Sequence, residues 1–187
     1  AAGAGMLWVG WYGFNAGSAL AANGSAGMAL LCTHLGAAAG ALAWMALEWR
    51  RYGKPSTLGI LTGVVAGLGT ITPASGFIAP WAALVIGALA GTVCFAATQV
   101  LKRRLRIDDS LDVSPVHGVG GIIGTLLTGV FAASALGGTG YPLPRGLATQ
   151  VGVQALGILA TAAWCALVTW VVLRVLGALL GGLRVSE

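Results

Sequence analysis

Charge is scarce in this sequence: only 8% of its 187 residues are Asp, Glu, Lys or Arg, and just five are acidic. Soluble domains carry about a quarter of their residues as charge. With 57% hydrophobic residues and a mean hydropathy of +0.89, the chain is excluded from that class. Cysteine is scarce too. Cys32, Cys94 and Cys165 stand isolated in apolar runs, which rules out a disulfide scaffold and reads them as small buried residues. Histidine occurs only at positions 34 and 117. The sequence contains no serine–histidine–acid set, no metal-ligand spacing and no phosphate-binding glycine loop followed by Lys-Ser or Lys-Thr. Enzyme chemistry, a metal and a cofactor are therefore not expected. The net charge of +5 raises nucleic acid as a partner. The bases, however, form short clusters beside apolar runs, without a stripe of interleaved aromatics, and that partner is rejected.

What the chain has in excess is apolar length and glycine. A membrane-spanning helix needs about 20 mostly apolar residues. Six runs meet or approach that, at 2–22, 27–49, 57–72, 77–101, 112–135 and 146–180. The expected fold is an all-α membrane protein with about six transmembrane helices in a lipid bilayer. The first run has no basic leader and contains Trp, Asn and Ser, so it reads as a span and not as a signal peptide. The 31 glycines are more than double the usual share of about 7%. Pairs four residues apart at Gly13/Gly17, Gly36/Gly40, Gly63/Gly67, Gly87/Gly91 and Gly120/Gly124 are expected to bring helices into close contact.

The connectors alternate in charge. Arg50, Arg51 and Lys54 follow the second run, and Lys102, Arg103, Arg104 and Arg106 the fourth. Arg174 and Arg184 end the sixth, and Arg145 alone lies in the other connectors. The positive-inside rule places the basic connectors and the C-terminus in the cytoplasm. Glu48, Trp49 and Arg50 read as an interfacial ion pair with an aromatic anchor. Ser56 or Thr57 can cap the third helix. Asp108 and Asp109 suit the first turn of the fifth helix. That helix begins either with Ser114 as N-cap and Pro115 at its first position, or with an earlier, kinked turn.

His117 sits about one turn inside the fifth run. An ionisable ring within a span is by default a functional candidate; the alternative is a histidine hydrogen-bonded within the bundle. Helical steps of three and four from it reach Val113, Gly120, Gly121, Gly124 and Thr128, a small or polar face able to line a narrow conduit. On the first run, Trp11, Phe14 and Ser18 share a face. They offer a ring for a cation and a hydroxyl for an ammonium-like group, although ordinary packing produces the same stripe. His34, among alanine and leucine, reads as a core histidine with a hydrogen-bond partner.

The segments Trp11-Tyr12-Gly13-Phe14-Asn15-Ala16-Gly17-Ser18, Gly53-Lys54-Pro55-Ser56, Ile71-Thr72-Pro73-Ala74, Asp108-Asp109-Ser110-Leu111-Asp112 and Val116-His117-Gly118-Val119-Gly120-Gly121 together resemble the ammonium transporter (Amt/Rh) family, in order and in spacing. The resemblance covers essentially the whole chain, as a single partial domain at 1–187. It implies the second half of an eleven-helix bundle, helices six to eleven, and hence a truncated transporter or a fragment of one. By the same resemblance, Phe14 matches a gate phenylalanine, Ser18 the hydroxyl of an outer ammonium site, and His117 the second of two stacked pore histidines. Asp112 matches an acid five residues before that histidine, with Val113 and Trp11 in support. Ser114-Pro115 departs from the aromatic–small pair of the family motif. The resemblance implies transport of ammonium or ammonia through the plasma (inner) membrane, a homotrimer for the complete protein, and a PII-type regulator at the cytoplasmic face. An ammonium sensor and a non-conducting remnant are the alternatives.

Overall fold

The computed structural model describes residues 1–142 and 146–183; Leu143, Pro144, Arg145, Arg184 and Glu187 lie outside the described residues. The described residues contain no strand. Six α-helices run in order: α1 (Ala2–Gly17), α2 (Gly24–Tyr52), α3 (Thr57–Ile71), α4 (Pro80–Gln99), α5 (Gly120–Phe131) and α6 (Leu147–Leu180). A π-turn over Val100–Arg104 prolongs α4, and another over Ser114–Val119 leads into α5.

Local chemistry sets most of these boundaries. Asn23 caps α2 by accepting a hydrogen bond from the Ala26 amide at 3.1 Å. Gly53 ends α2 in the left-handed region, at φ 77°, where a side chain would be strained. Of the two candidate caps for α3, Ser56 is the one used, its Oγ accepting from the Gly59 amide at 2.9 Å. Pro80 opens α4, where its missing amide hydrogen costs nothing. The first run is helical only to Gly17, since Ser18–Asn23 form turns.

Four helical segments are long and apolar enough to cross a membrane: Gly24–Tyr52, Pro80–Arg104, Ser114–Phe131 and Leu147–Leu180. The other two, α1 with 16 residues and α3 with 15, are shorter than a full span. At 1.5 Å per residue α6 is about 51 Å long. That exceeds a hydrocarbon core of about 30 Å, so α6 must tilt or protrude.

The core lies where α2, α3 and α4 meet. A Cβ on Gly40 would stand 2.6 Å from the Gly63 carbonyl oxygen. Cβ atoms on Gly67 and Gly87 would both strike the Gly36 carbonyl, and one on Gly91 the Gly40 carbonyl. Three of the expected glycine pairs thus interlock on three helices. Backbones replace side chains at the contact, and dispersion across it holds the helices together. Gly120 and Gly124 meet Thr70 of α3 in the same manner. The fifth pair departs from expectation: Gly13 and Gly17 face nothing within 4 Å. Helix α6 packs against α5 and buries none of its residues.

Four further readings are corrected. Glu48 is not ion-paired with Arg50. Its carboxylate accepts hydrogen bonds from the Ser56 amide at 2.7 Å and the Ser56 hydroxyl at 3.0 Å, closing the α2–α3 hairpin. Asp109 lies before the fifth helix, not in its first turn. It accepts from the Val113 amide at 2.9 Å and the Ser114 amide at 2.7 Å. Ser114 makes no cap of its own, because Asp109 already holds the two amides at the helix start. Finally, His34 has the expected partner but is exposed, not in the core.

Candidate functional site

Two polar constellations border α3. The first gathers where α1 ends. Phe14 is 63% exposed and makes an edge contact with Trp11, ring centroids 6.4 Å apart at 77°. The Trp11 indole N–H donates to Thr72 Oγ1 at 2.7 Å, so Trp11 is committed to α3 and fixes the ring beside it. Ser18 Oγ donates to the Phe14 carbonyl at 2.7 Å. With its proton so used, the hydroxyl keeps its lone pairs for an incoming donor. Phe14 and Ser18 line a cavity of about 370 Å³ together with Ser25, Thr72, Ser75 and Phe77. The hydroxyls and two aromatic rings provide acceptors and π-faces for a small cation.

Two features of this constellation escaped the sequence reading. One is Thr72, the acceptor for Trp11. The other is Asn15, buried and donating to Thr33 Oγ1 at 2.9 Å, while Thr33 donates to the Ala29 carbonyl at 2.6 Å. This chain of bonds locks α1 to α2 beneath Phe14. An asparagine in an apolar helix was the available signal, since buried amides require partners.

The second constellation is a groove between α5 and α6, about 370 Å³ in volume. His117, Gly121 and Thr125 line one wall, and Gly157, Thr161 and Cys165 the other. Each trio steps by four, so each occupies one helical face. The groove exists because Gly129 brings α5 close to α6 higher up, where a Cβ would stand 3.2 Å from Val151 Cα. Toward His117 the facing glycines are open: a Cβ on Gly121 or on Gly157 would meet nothing within 4 Å. The face expected from His117 divides in two: Gly121 accompanies it in the groove, whereas Gly120, Gly124 and Thr128 are buried. The intervening π-turn accounts for this, because its i→i+5 geometry rotates later residues away from a continuous 3.6-residue stripe.

The constellations are linked through α3. Gly69 faces His117, and a Cβ there would lie 3.8 Å from Nδ1. Thr72, three residues on, holds Trp11. The separation along α3 is therefore about 4.5 Å of helical rise.

The structure does not bring Asp112 or Val113 into the groove. Asp112 is at φ 56° and pairs with Lys102 at 2.8 Å. Val113 is 52% exposed and serves Asp109 through its amide. His34 shares a 2.6 Å hydrogen bond with the Tyr12 hydroxyl, and its ring centroid is 5.5 Å from that of Trp8. The basic connectors gather at one end of the bundle: Arg103 donates to the Tyr52 hydroxyl at 3.2 Å, and that hydroxyl donates to Gln99 at 3.0 Å. Next to them, the Ser114 amide holds the Asp109 carboxyl below its ordinary range, with help from Val113 and Lys102.

Several apolar helices long enough to span a bilayer, interlocked by glycine, define a polytopic membrane protein. Its family follows from comparison. The model of the Ammonium Transporter Family matches residues 1–187. The ammonium transporter of Aquifex aeolicus is 49% identical over 187 residues, covering 100% of this chain and 44% of that protein. The crystal structure of Saccharomyces cerevisiae Mep2 superposes with a TM-score of 0.84 at 43% identity, over 94% of this chain and 43% of that one. A structure described as a sensor Amt protein has a TM-score of 0.89 at 30% identity, over 98% of this chain and 44% of that one. The chain belongs to the ammonium transporter family, and it spans less than half the length of these relatives.

Proposed function

We propose that this chain forms one side of an ammonium conduction path. The observation that carries the reading is the match of the whole chain to the family, joined to a histidine bordering a cleft of small residues. In this scheme Ser18 and the Phe14 ring recruit ammonium at the outer mouth. Carrying the ion across an apolar seam is costly, whereas neutral ammonia crosses cheaply. Ammonium therefore gives up its proton near the gate, and ammonia and the proton pass His117 separately. An imidazole ring both donates and accepts hydrogen bonds, so it relays them along the path. Trp11 acts as a positioning residue through Thr72. Asp112 acts at a distance, by holding the start of the His117 segment to the basic connector.

The positive-inside rule supports a cytoplasmic C-terminus in the plasma membrane. The family resemblance supports a trimeric complete protein and a PII-type regulator at the cytoplasmic face. Likeness to a sensor Amt protein supports the second reading, in which occupancy is reported and not passed on; a non-conducting remnant is the third.

The test is ammonium and potassium flux by the full-length protein in vesicles. His117→Ala should lower ammonium flux at least tenfold or admit potassium, while His34→Ala stays within about twofold of the parent. Loss of flux on His34→Ala, with His117→Ala unchanged, would overturn the assignment. Absence of flux in the parent protein would favour the sensor or the remnant.

A further inference from the structure

At the basic end of the bundle, a chamber of about 170 Å³ lies between α2, the start of α3, the end of α4 and Asp112. Trp44 and Thr98 line it and are only 4% and 6% exposed. The Trp44 indole N–H and the Thr98 hydroxyl have no hydrogen-bond partner among the described residues. A buried polar group left alone is costly, and native structures rarely keep one. Here two of them, from different helices, border the same small space. Two carboxylates border it as well. Glu48 accepts from the Ser56 amide and hydroxyl and lies against Gly59, where a Cβ would strike it. Asp112 is paired with Lys102 at 2.8 Å. Each carboxylate still has lone pairs to spare. The Trp44 ring meets Phe95 edge-on, centroids 5.4 Å apart at 87°. Both rings pack in one cluster with Val116, the residue before His117.

We propose that this chamber is an internal water site, whose waters tie α2 and α4 to the entry of the His117 segment through Trp44, Thr98 and Asp112. The chemistry of the walls selects the occupant. An indole N–H only donates, ionised carboxylates only accept, and a hydroxyl does either. A bare cation would face the indole proton, and an anion would face two carboxylates. A molecule that suits every wall must donate and accept at once. The volume admits several waters, each of which takes about 30 Å³ in the liquid, and the walls supply the polar partners a buried water needs. Trp44 and Thr98 are then positioning residues. They act through Val116 and Asp112, which flank the approach to His117. Their importance for transport rests on the proposed place of His117 in the conduction path, whereas the water site stands without it.

X-ray radiolytic footprinting of the full-length protein, read by mass spectrometry, tests the site, because a radical made from a bound water oxidises the side chain beside it. Trp44 should be oxidised nearly as fast as Trp49, which is 58% exposed. Leu68 and Ile71, buried and outside the chamber, should stay unoxidised. T98V keeps the shape of the side chain and deletes its hydroxyl. In a hydrated chamber it strands a water and lowers the thermal midpoint; in a dry one it removes an orphaned group and raises the midpoint. T98V should also lose Trp44 oxidation and hydrogen-exchange protection at the Val116 amide. T98S, which restores the hydroxyl, should return both. None of these readouts uses ammonium flux, so their failure is distinct from failure of the conduction reading. A Trp44 as silent as Leu68 would overturn the proposal, as would a raised midpoint in T98V. Unchanged Val116 protection in T98V would overturn the positioning role. Suppression of Trp44 oxidation by ammonium chloride, and not by sodium chloride, would assign the chamber to ammonium and overturn the water site.

Discussion

At the scale of single residues, Asp109 shows how one side chain decides where a helix begins. Two amides and one carboxylate meet at the entry to the His117 segment, and the bonds favour the ionised form. The carboxyl is accordingly held below its ordinary value. Because the folded value is depressed, its contribution is complete above the ordinary carboxylate range, near pH 4, and is lost as pH falls through the lower folded value. Amide protection at Val113 and Ser114 should therefore persist through pH 4 and decline only below it. Asp109→Asn removes the charge and leaves one acceptor oxygen for two amides. Hydrogen exchange should then show one of the two amides exposed at every pH, with the acid transition absent. Unchanged protection in the variant would mean that the turn holds itself.

At the scale of elements, the glycines of α2, α3 and α4 determine the spacing of the core. Gly67→Ala directs a methyl group into the Gly36 carbonyl, a rigid backbone atom unable to yield as a flexible side chain can. Overpacking of this kind costs about 1–3 kcal/mol, and the denaturation midpoint in detergent should fall accordingly. Gly13→Ala is the contrasting case. Nothing lies within 4 Å of its Cβ position, and alanine favours a helix by up to about 1 kcal/mol. That variant should be at least as stable as the parent within these residues. A fall in stability for Gly13→Ala would indicate that another protein surface covers α1.

At the scale of the whole molecule, the question is which end faces which compartment. Cysteine labelling checks this once the exposed native thiol is removed by Cys165→Ser. An impermeant maleimide should reach Gly140→Cys from outside the cell, and Lys54→Cys only after the membrane is opened. The reverse pattern would invert the topology. Openness of the His117 groove yields a second expectation at this scale. A conduit needs walls on all sides, yet His117 is exposed. These 187 residues alone in vesicles should give no saturable ammonium flux. Clear uptake would mean that copies of the chain close the groove against each other.

The fold class was legible in the sequence because it follows from composition and length, which no packing detail can reverse. The runs at 57–72 and 146–180 match α3 and α6 to within a residue or so, since Ser56, the Thr72-Pro73 turn and the Gly181 stop act locally. Three of the five glycine pairs announced the core for a similar reason: a spacing of four maintains one face along any helix. The grouping of Trp11, Phe14 and Ser18 was legible on the same basis. The rest required contacts between distant parts of the chain. No periodicity in α1 indicates that Thr72 accepts a hydrogen bond from the Trp11 indole, or that Asn15 is buried on Thr33. The π-turn separated His117 from Gly124 and Thr128, and an ideal 3.6-residue helix does not anticipate it. Nor could spacing place Asp112 with Lys102, outside the groove, because a left-handed residue turns the chain before the helix starts. Local propensity and hydrophobic period thus established which segments are helical and which faces are apolar. Tertiary structure alone decided which polar groups meet, because those meetings depend on interhelical distances that the glycines set and on bonds between residues far apart in the chain.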